Sequence, residues 1–247
     1  MIKFFRKIRQ QLLTENKVSK YLIYAIGEIV LVVIGILIAL QINNWNEYQK
    51  ERKTESKVLK EVAENLEANI LRLQSLIERG NIDNQASDVI TSVIDNNLSY
   101  SDSLNTYFYF ALNPVDEGSF LSYVGFESLK NEGFEIIHDD QLKKEIINLF
   151  EGIYRDLQAK YNRTNLISTP DLNNFREQHF LFQTDSVRQQ IGHMPLDFDN
   201  LIKNKHFKSK LASTKAIRLW INSSLLQSLE ETHRILQLIK AELMKSD

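Results

Sequence analysis

The chain has 247 residues, no cysteine, only eight glycines and three prolines, and a formal net charge of −2. The missing cysteines exclude disulfide bonds, thiolate metal ligands and thiol nucleophiles, and the scarcity of turn-forming residues argues against an all-β fold. The basic residues form no stripe outside the N-terminus, so no nucleic-acid partner is predicted.

Residues 1–20 form a basic segment with six lysine or arginine side chains and one glutamate. Ile2, Phe5 and Ile8 recur at helical spacing, and the basic side chains lie largely elsewhere on the helix. This pattern predicts a cytoplasmic amphipathic helix on the membrane surface, or equally the positive flank of a signal anchor. The expected contacts with lipid headgroups are Lys3, Arg6, Lys7 and Arg9.

The run Tyr21–Ile42 is apolar on every face, and Glu28 and Gln41 are its strongly polar residues. From Leu22 to Leu40 a helix covers about 28 Å, which is close to the hydrocarbon thickness of a bilayer. The run is longer than the apolar region of a signal peptide and does not end in small residues. We therefore expect an uncleaved transmembrane helix at residues 21–42.

The flanks of this run predict its orientation. Lys17 and Lys20 precede it, whereas the first basic residue after it is Lys50. Because lysine and arginine favour the cytoplasmic side, we expect a bacterial inner-membrane protein with a cytoplasmic N-terminus and a periplasmic domain. The aromatic residues expected at the membrane–water interfaces are Tyr21, Tyr24, Trp45 and Tyr48.

Glu28 is the first candidate for a functional residue. In a helix it shares one face with the small residues Ala25, Gly35 and Ala39. Small residues let a second helix approach closely, and a charged carboxylate facing lipid costs about 2.5–3.5 kcal/mol. This face is predicted to self-associate or to bind another membrane protein. A proton or ion path is a second hypothesis, less favoured than a neutral carboxyl group bonded to one partner.

Beyond the apolar run, the segment Glu47–Lys57 is polar around its whole circumference and predicts a helical stalk over residues 43–57. From Val58, apolar residues recur every three or four positions and predict a core helix that ends at Gly80. The transmembrane helix, the stalk and this core helix would be nearly continuous.

Residues 58–247 are predicted to form a helical bundle, so the expected fold class is all-α. Pro170 is expected in the first turn of a helix, and Gly192–Pro195 is expected to be a turn. The last helix is long enough to pack antiparallel along the first core helix. The helices predicted after Gly80 are Asp83–Asp95, Ser99–Ala111, Ser119–Lys130, a long one from Asp139 or Asp140 to about Asn162, Asp171–Phe182, Asp197–Lys203 and Lys208–Lys245.

The apolar span contains small residues and a glutamate, and the sequence Asn-Asn-Trp follows directly after it. The residues of this pattern are Gly27, Glu28, Gly35, Ala39, Gln41, Asn43, Asn44 and Trp45. A second and looser pattern consists of Leu129, Lys130, Gly133, Ile137, Asp140 and Leu142. In these features the chain resembles a family of short single-pass membrane proteins of Bacteroidota with a domain of unknown function. The resemblance implies inner-membrane placement and brings no known activity, cofactor or catalytic residue.

One sequence feature favours an enzymatic function, a pair of Glu-x-x-His motifs at Glu135–His138 and Glu230–His233. Paired motifs of this kind hold two metal ions in helical bundles when further carboxylates face them, and Glu61, Glu64 or Glu67 are the candidates. However, Glu135–His138 lies between a capping glycine and an expected N-cap, where helical spacing is not expected. A di-metal oxidoreductase is therefore the least favoured alternative.

No nucleophile elbow, dinucleotide fingerprint or phosphate-binding loop is present, so no catalytic residue and no cofactor are predicted. His179, His193 and His206 occur singly, which is typical of surface or capping residues. The sequence predicts a membrane-anchored interaction or scaffold protein whose partners are the bilayer and a second copy or another membrane protein. A ligand-sensing domain is the first alternative, with a pocket among aromatic residues such as Tyr107–Phe110.

Overall fold

The computed structural model describes residues 18–114, 121–185 and 190–246. The chain divides into two compact units, Met1–Thr54 and Glu55–Asp247. At the start of the second unit, the Glu55 side chain is buried and accepts a hydrogen bond from the backbone N–H of His138 at 2.9 Å. Glu55 is thus an exception in a segment predicted to be solvated on all sides.

The predicted all-α class is confirmed, with one added β-hairpin. The helices are α1 (Val18–Asp95), α2 (Leu104–Ala111), α3 (Val124–Glu132), α4 (Asp140–Ile147), α5 (Arg155–His179), α6 (Phe198–Lys203) and α7 (Lys205–Ser246). A short 3₁₀ helix occupies Phe134–Ile136, and a π-helical segment, Asn148–Tyr154, joins α4 to α5. Strands β1 (Phe180–Asp185) and β2 (Gln190–Pro195) pair antiparallel.

In the first unit, the apolar part of α1 is exposed around its circumference. Its large apolar side chains between Leu22 and Ile42 remain 47–70% exposed. By length and composition α1 is able to cross a membrane, and it is the one such helix among the described residues. A buried core helix of a soluble domain would instead have packed these side chains against the rest of the chain.

The predicted helix end at Gly80 is wrong, because α1 continues to Asp95. Gly80 faces α7, where a Cβ atom would overlap the side chain of Asn222. Asn222 also donates a hydrogen bond to the side-chain oxygen of Asn81 at 3.1 Å. The glycine therefore permits close helix packing rather than ending the helix, and the separate helix predicted from Asp83 is the last part of α1.

In the second unit α7 packs antiparallel to α1, as predicted. As residue numbers increase along α7, the numbers of their partners on α1 decrease. The pairs are Lys215–Asp88, Arg218–Asp83, Asn222–Asn81 and Lys240–Glu67. These polar contacts fix the register of the two longest helices.

Two apolar cores lie along this helix pair. The first surrounds Leu66 of α1 and contains Phe126 of α3 stacked on Phe150, with ring centroids 4.5 Å apart. The second surrounds Ile90 of α1 and contains Phe108 of α2, together with residues of α5, β1, α6 and α7. The second core carries the elements that form the candidate site.

The predicted helix Asp171–Phe182 is wrong at both ends. Helix α5 passes through Pro170, which lacks the amide hydrogen that would bond to the carbonyl of Leu166. Leu166 is 79% exposed, so this break lies at the surface, where water can solvate the free carbonyl. The chain then leaves the helix after His179, and the predicted turn Gly192–Pro195 is part of a strand. Burial of Phe180 in the second core favours the extended conformation there.

Several predicted boundaries are confirmed. Asp139 caps α4, and its carboxylate accepts hydrogen bonds from the N–H groups of the second and third residues after it, at 2.9 and 3.0 Å. Gly133 ends α3 with a φ of 92°, a value that favours glycine. The helix from Asp140 does not end near Asn162, since α4, the π segment and α5 follow one another without a break. The predicted start of α3 at Ser119 is wrong, because Leu121–Tyr123 are not helical and α3 begins at Val124.

Candidate functional site

A cavity of about 510 Å³ lies between the end of α2, the last turns of α5 and the β-hairpin. This volume is in the range of pockets that bind small molecules. Helix α5 reaches the cavity because it continues past Pro170, and the hairpin reaches it because β2 packs on α2.

Aromatic rings form one wall of the cavity. The hairpin register places Phe182 opposite His193, and Phe180 lies on the same side of β1. The ring of His193 is 5.3 Å from that of Tyr109 and 5.6 Å from that of Phe182, measured between centroids. The imidazole is therefore enclosed by rings from α2 and from β1.

The opposite wall is polar and comes mainly from α5. Arg176 donates hydrogen bonds to the side-chain oxygen of Asn173 and to the carbonyl of Leu112 at 3.5 Å. Burial lowers the pKa of the Arg176 guanidinium from its ordinary value, and the nearby Tyr109 and Glu177 oppose this effect. An arginine keeps its charge at neutral pH in this situation, so the cavity contains a cation.

His193 has unused hydrogen-bonding capacity. Its side chain is only 6% exposed, and neither ring nitrogen has a hydrogen-bond partner among the described residues. Burial, and secondly the charge of Arg176, lower the pKa of His193 to about 4. The ring is therefore neutral at pH 7 and offers one N–H donor and one acceptor. The buried amide nitrogen of Asn113 likewise has no partner in the described part of the chain.

Arg218 of α7 holds the end of α2 in place. The residue is 3% exposed, and its guanidinium donates to the carbonyls of Phe110, Ala111 and Asn113 at 3.1, 2.7 and 2.7 Å. Burial lowers the pKa of Arg218 to about 10, so the side chain stays cationic at pH 7. A cation at the C-terminus of a helix is favoured by the helix dipole.

The sequence analysis missed most of this site. It interpreted His193 as a surface or capping residue, which is wrong because the hairpin buries the ring. It did not single out Arg176 or Asn113. For Arg218 a signal was available, since this arginine lies in the apolar stripe of α7 seven residues after Leu211 and seven before Leu225, both of which are buried.

The predicted transmembrane face has free space beside its glycine. Helical geometry brings Ala25, Glu28, Gly35 and Ala39 to one side of α1, and a Cβ atom placed on Gly35 would meet nothing within 4 Å. A second helix therefore has room to approach here. The association itself stays a prediction.

The predicted interfacial aromatic residues lie at the two ends of the apolar segment. Tyr24, Trp45 and Tyr48 are 59%, 64% and 48% exposed. The helical rise separates Tyr24 from Trp45 by about 32 Å, close to the thickness of a bilayer core. The side chain of Tyr21 and the predicted lipid contacts Lys3, Arg6, Lys7 and Arg9 lie outside the described residues.

Comparison with protein families identifies the chain. A model described as a family of unknown function, DUF6090, matches residues 28–173, which is more than half of the sequence. The chain belongs to the DUF6090 family. The DUF6090 match begins at Glu28 and ends at Asn173, so it includes Asn113 but neither Arg176 nor the hairpin. This result confirms the predicted membership of an uncharacterised family, while the Bacteroidota origin and the single-pass membrane nature of that family stay predictions. Neither the curated proteins nor the solved structures gave a match.

The metal hypothesis finds no site in the part of this DUF6090 chain that the structure describes. His138 faces Glu55 with 3.0 Å between the ring nitrogen and the carboxylate, and Glu135 pairs with Lys143. On α7 the ring of His233 is exposed and lies 2.9 Å from the carbonyl of Leu229. The described residues contain no group of three or more potential ligands that could hold a metal ion.

Proposed function

We propose that the protein is a membrane-anchored binding protein whose Glu55–Asp247 unit takes a small ligand in the cavity between Arg176 and His193. The lining of the cavity supports this most directly, because the cationic Arg176 lines it together with the aromatic rings of Tyr109 and Phe182. A buried cation beside aromatic rings offers a ligand both a charged and an apolar contact. Among the described lining residues there is no serine, threonine or lysine nucleophile, which favours binding over catalysis.

Several features support an anchored location. The side chains of α1 from Leu22 to Ile42 are apolar and exposed, and aromatic residues stand at both ends of this segment. The lysines before the segment favour a cytoplasmic N-terminus, which would put the ligand-binding unit in the periplasm of a bacterial inner membrane.

The ligand-binding proposal is tested by thermal unfolding of the full chain in lipid nanodiscs against a panel of metabolites. We expect at least one compound to raise the melting temperature of the wild type and to lose this effect in His193→Phe. The matched control is His233→Phe, which changes an exposed histidine of α7 and should keep the effect. A panel without any hit, or equal shifts in wild type and His193→Phe, would contradict ligand binding at this cavity.

A second function, association through the transmembrane face, is favoured by the small residues Ala25, Gly35 and Ala39. They lie on the same side of the apolar segment as Glu28, and the structure leaves open space at Gly35. Small side chains let a second helix approach closely in lipid. The partner would be a second copy of the chain or another membrane protein.

Crosslinking in native membranes tests this second function. The double variant Glu28→Leu with Gly35→Leu should lose crosslinked oligomers or copurified partners. The matched control, Val30→Leu with Leu37→Ile, changes the opposite side of the helix and should keep them. If the Glu28 and Gly35 variant gives the same crosslinks as the wild type, this face is not an interface.

A further inference from the structure

We infer that the ligand of the cavity is a small organic monocarboxylate with a flat apolar body. The inference rests on the proposed ligand-binding function and adds the chemical class of the ligand. It depends on three features of the cavity: the guanidinium of Arg176, a nearly balanced charge, and aromatic rings against which a flat group can pack.

The cavity offers a ligand one cationic hydrogen-bond donor. Arg176 is the only cation among the described lining residues, and one of its hydrogen bonds is long, at 3.5 Å. The side-chain nitrogens of Asn113 and His193 have almost no accessible surface, so the guanidinium is the donor on which the inference rests. A carboxylate has two acceptor oxygens and matches the planar donor fork of a guanidinium. An anionic head group therefore pairs with Arg176.

The charge of the lining favours a monoanion. Glu177 is exposed at the same cavity and neighbours Arg176 in the sequence, so the two charges offset each other at the opening. A carboxylate brings one negative charge to the buried guanidinium. A phosphate monoester would bring close to two and would be repelled by Glu177.

The aromatic wall accounts for the rest of the ligand. Tyr109 and Phe182 approach each other with ring centroids 6.3 Å apart, and Phe180 is buried beside them. Flat apolar groups pack favourably against such rings, in offset or edge-to-face geometry. The cavity of about 510 Å³ has room for a ring-sized body in addition to the carboxylate.

The test is isothermal titration calorimetry of the full chain in nanodiscs with four probes of similar size. Phenylacetate carries the expected carboxylate, phenylacetamide is its neutral analogue, phenethylamine is cationic, and phenyl phosphate is the dianion. A ligand of this size should bind with a Kd between about 10 μM and 1 mM. We expect phenylacetate to bind, and each of the other three probes to bind at least about tenfold more weakly.

Variants of α5 locate the binding. Arg176→Gln should weaken phenylacetate about tenfold or more, and Arg176→Lys should lose less because it keeps the charge. The matched control is Arg155→Gln, since Arg155 is an exposed residue of the same helix that pairs with Glu151. This control should bind phenylacetate as the wild type does.

The outcomes separate the ligand class from the proposed function. Equal or tighter binding of phenylacetamide, phenethylamine or phenyl phosphate, lost in His193→Phe, would overturn the carboxylate class and leave the ligand-binding function intact. Failure of all four probes would also overturn the class, and the metabolite panel would then decide the function separately. Comparison of phenylacetate with phenylacetamide on the wild type needs no variant to fold.

Discussion

At the scale of single residues, Arg218 shows how one buried cation supports the candidate site. It donates to three carbonyls at the end of α2, and also to the carbonyl of Asp83 at 3.2 Å and the hydroxyl of Ser87 at 3.1 Å. In an Arg218→Met variant, methionine would fill a similar volume but would donate no hydrogen bond to these groups. The positions of Tyr109 and Asn113 at the cavity thus depend on a residue that does not line it.

We predict that Arg218→Met lowers the free energy of unfolding by about 3–5 kcal/mol, because it leaves several buried carbonyls without a donor. Urea unfolding of the full chain in detergent measures the change. Arg234→Met on the same helix is the control, since Arg234 is exposed and forms surface pairs with Glu145 and Glu231. That variant should lose less than about 1 kcal/mol, and an equal loss in both variants would contradict the role of Arg218.

His193 predicts how stability depends on pH. Its pKa is about 4 in the folded chain and 6.5 as an ordinary histidine. Between these values the unfolded chain binds more protons, so the free energy of unfolding falls as the pH drops from 6.5 towards 4 and is unaffected by this group above 6.5. Because the cavity is open to water on one side, we expect a loss of about 1–2 kcal/mol.

His193→Phe should remove this part of the pH dependence, since phenylalanine fits the aromatic surroundings and does not titrate. The measurement is urea unfolding of the full chain at pH 7 and pH 5, for the wild type and the variant. His233→Phe should keep the wild-type difference. An unchanged difference in His193→Phe would show that His193 does not carry it.

At the scale of elements, the start of α3 is capped from α1. Tyr123, the residue before α3, makes no side-chain capping hydrogen bond, and asparagine side chains of α1 bond to the first turn instead. Asn65 accepts a hydrogen bond from the N–H of Gly125 at 3.1 Å and donates to the carbonyl of Ser122 at 3.1 Å. Asn69, one turn further along α1, exchanges two hydrogen bonds with Ser122. These contacts tie the start of α3 to the first core.

Gly125 permits this contact, because a Cβ atom there would overlap the backbone carbonyl of Glu61. Gly125→Ala should therefore lower the free energy of unfolding by about 1–3 kcal/mol, as the backbone of α1 has no room to yield. In Gly152→Ala, the control, the new methyl group would meet only the side-chain oxygen of Asn148 at 2.9 Å. That side chain can rotate away, so the control should stay within about 1 kcal/mol of the wild type. Thermal and urea unfolding distinguish the two results.

At the scale of the whole molecule, the proposed orientation is directly testable because the chain has no cysteine. Asp199→Cys puts a thiol at an exposed position of the second unit, and Gln10→Cys puts one in the basic N-terminal segment. In cells with a permeabilised outer membrane, a membrane-impermeant maleimide should label Asp199→Cys, and should label Gln10→Cys only after lysis. The opposite pattern would place the second unit in the cytoplasm.

Local spacing in the sequence was enough to define the apolar segment of α1, the helical class and the cap at Asp139. These features depend on periodicity and on residues close together in the chain, which a sequence displays directly. The antiparallel packing of α7 on α1 was predicted from the length of the last helix, whereas its register is fixed by pairs far apart in the chain, such as Lys215–Asp88. Local signals failed at Gly80 and Pro170, where packing and surface exposure outweighed the usual tendency of glycine and proline to interrupt a helix.

The candidate cavity depended on long-range packing. Asn113, Arg176 and His193 come from a helix end, a helix interior and a strand, and no fixed spacing relates them in the sequence. Their chemistry arises because the hairpin buries the imidazole and α7 holds the end of α2, and burial is what perturbs the pKa values and leaves polar atoms without partners. Such effects follow from the three-dimensional arrangement of distant segments, which periodicity along one segment does not encode.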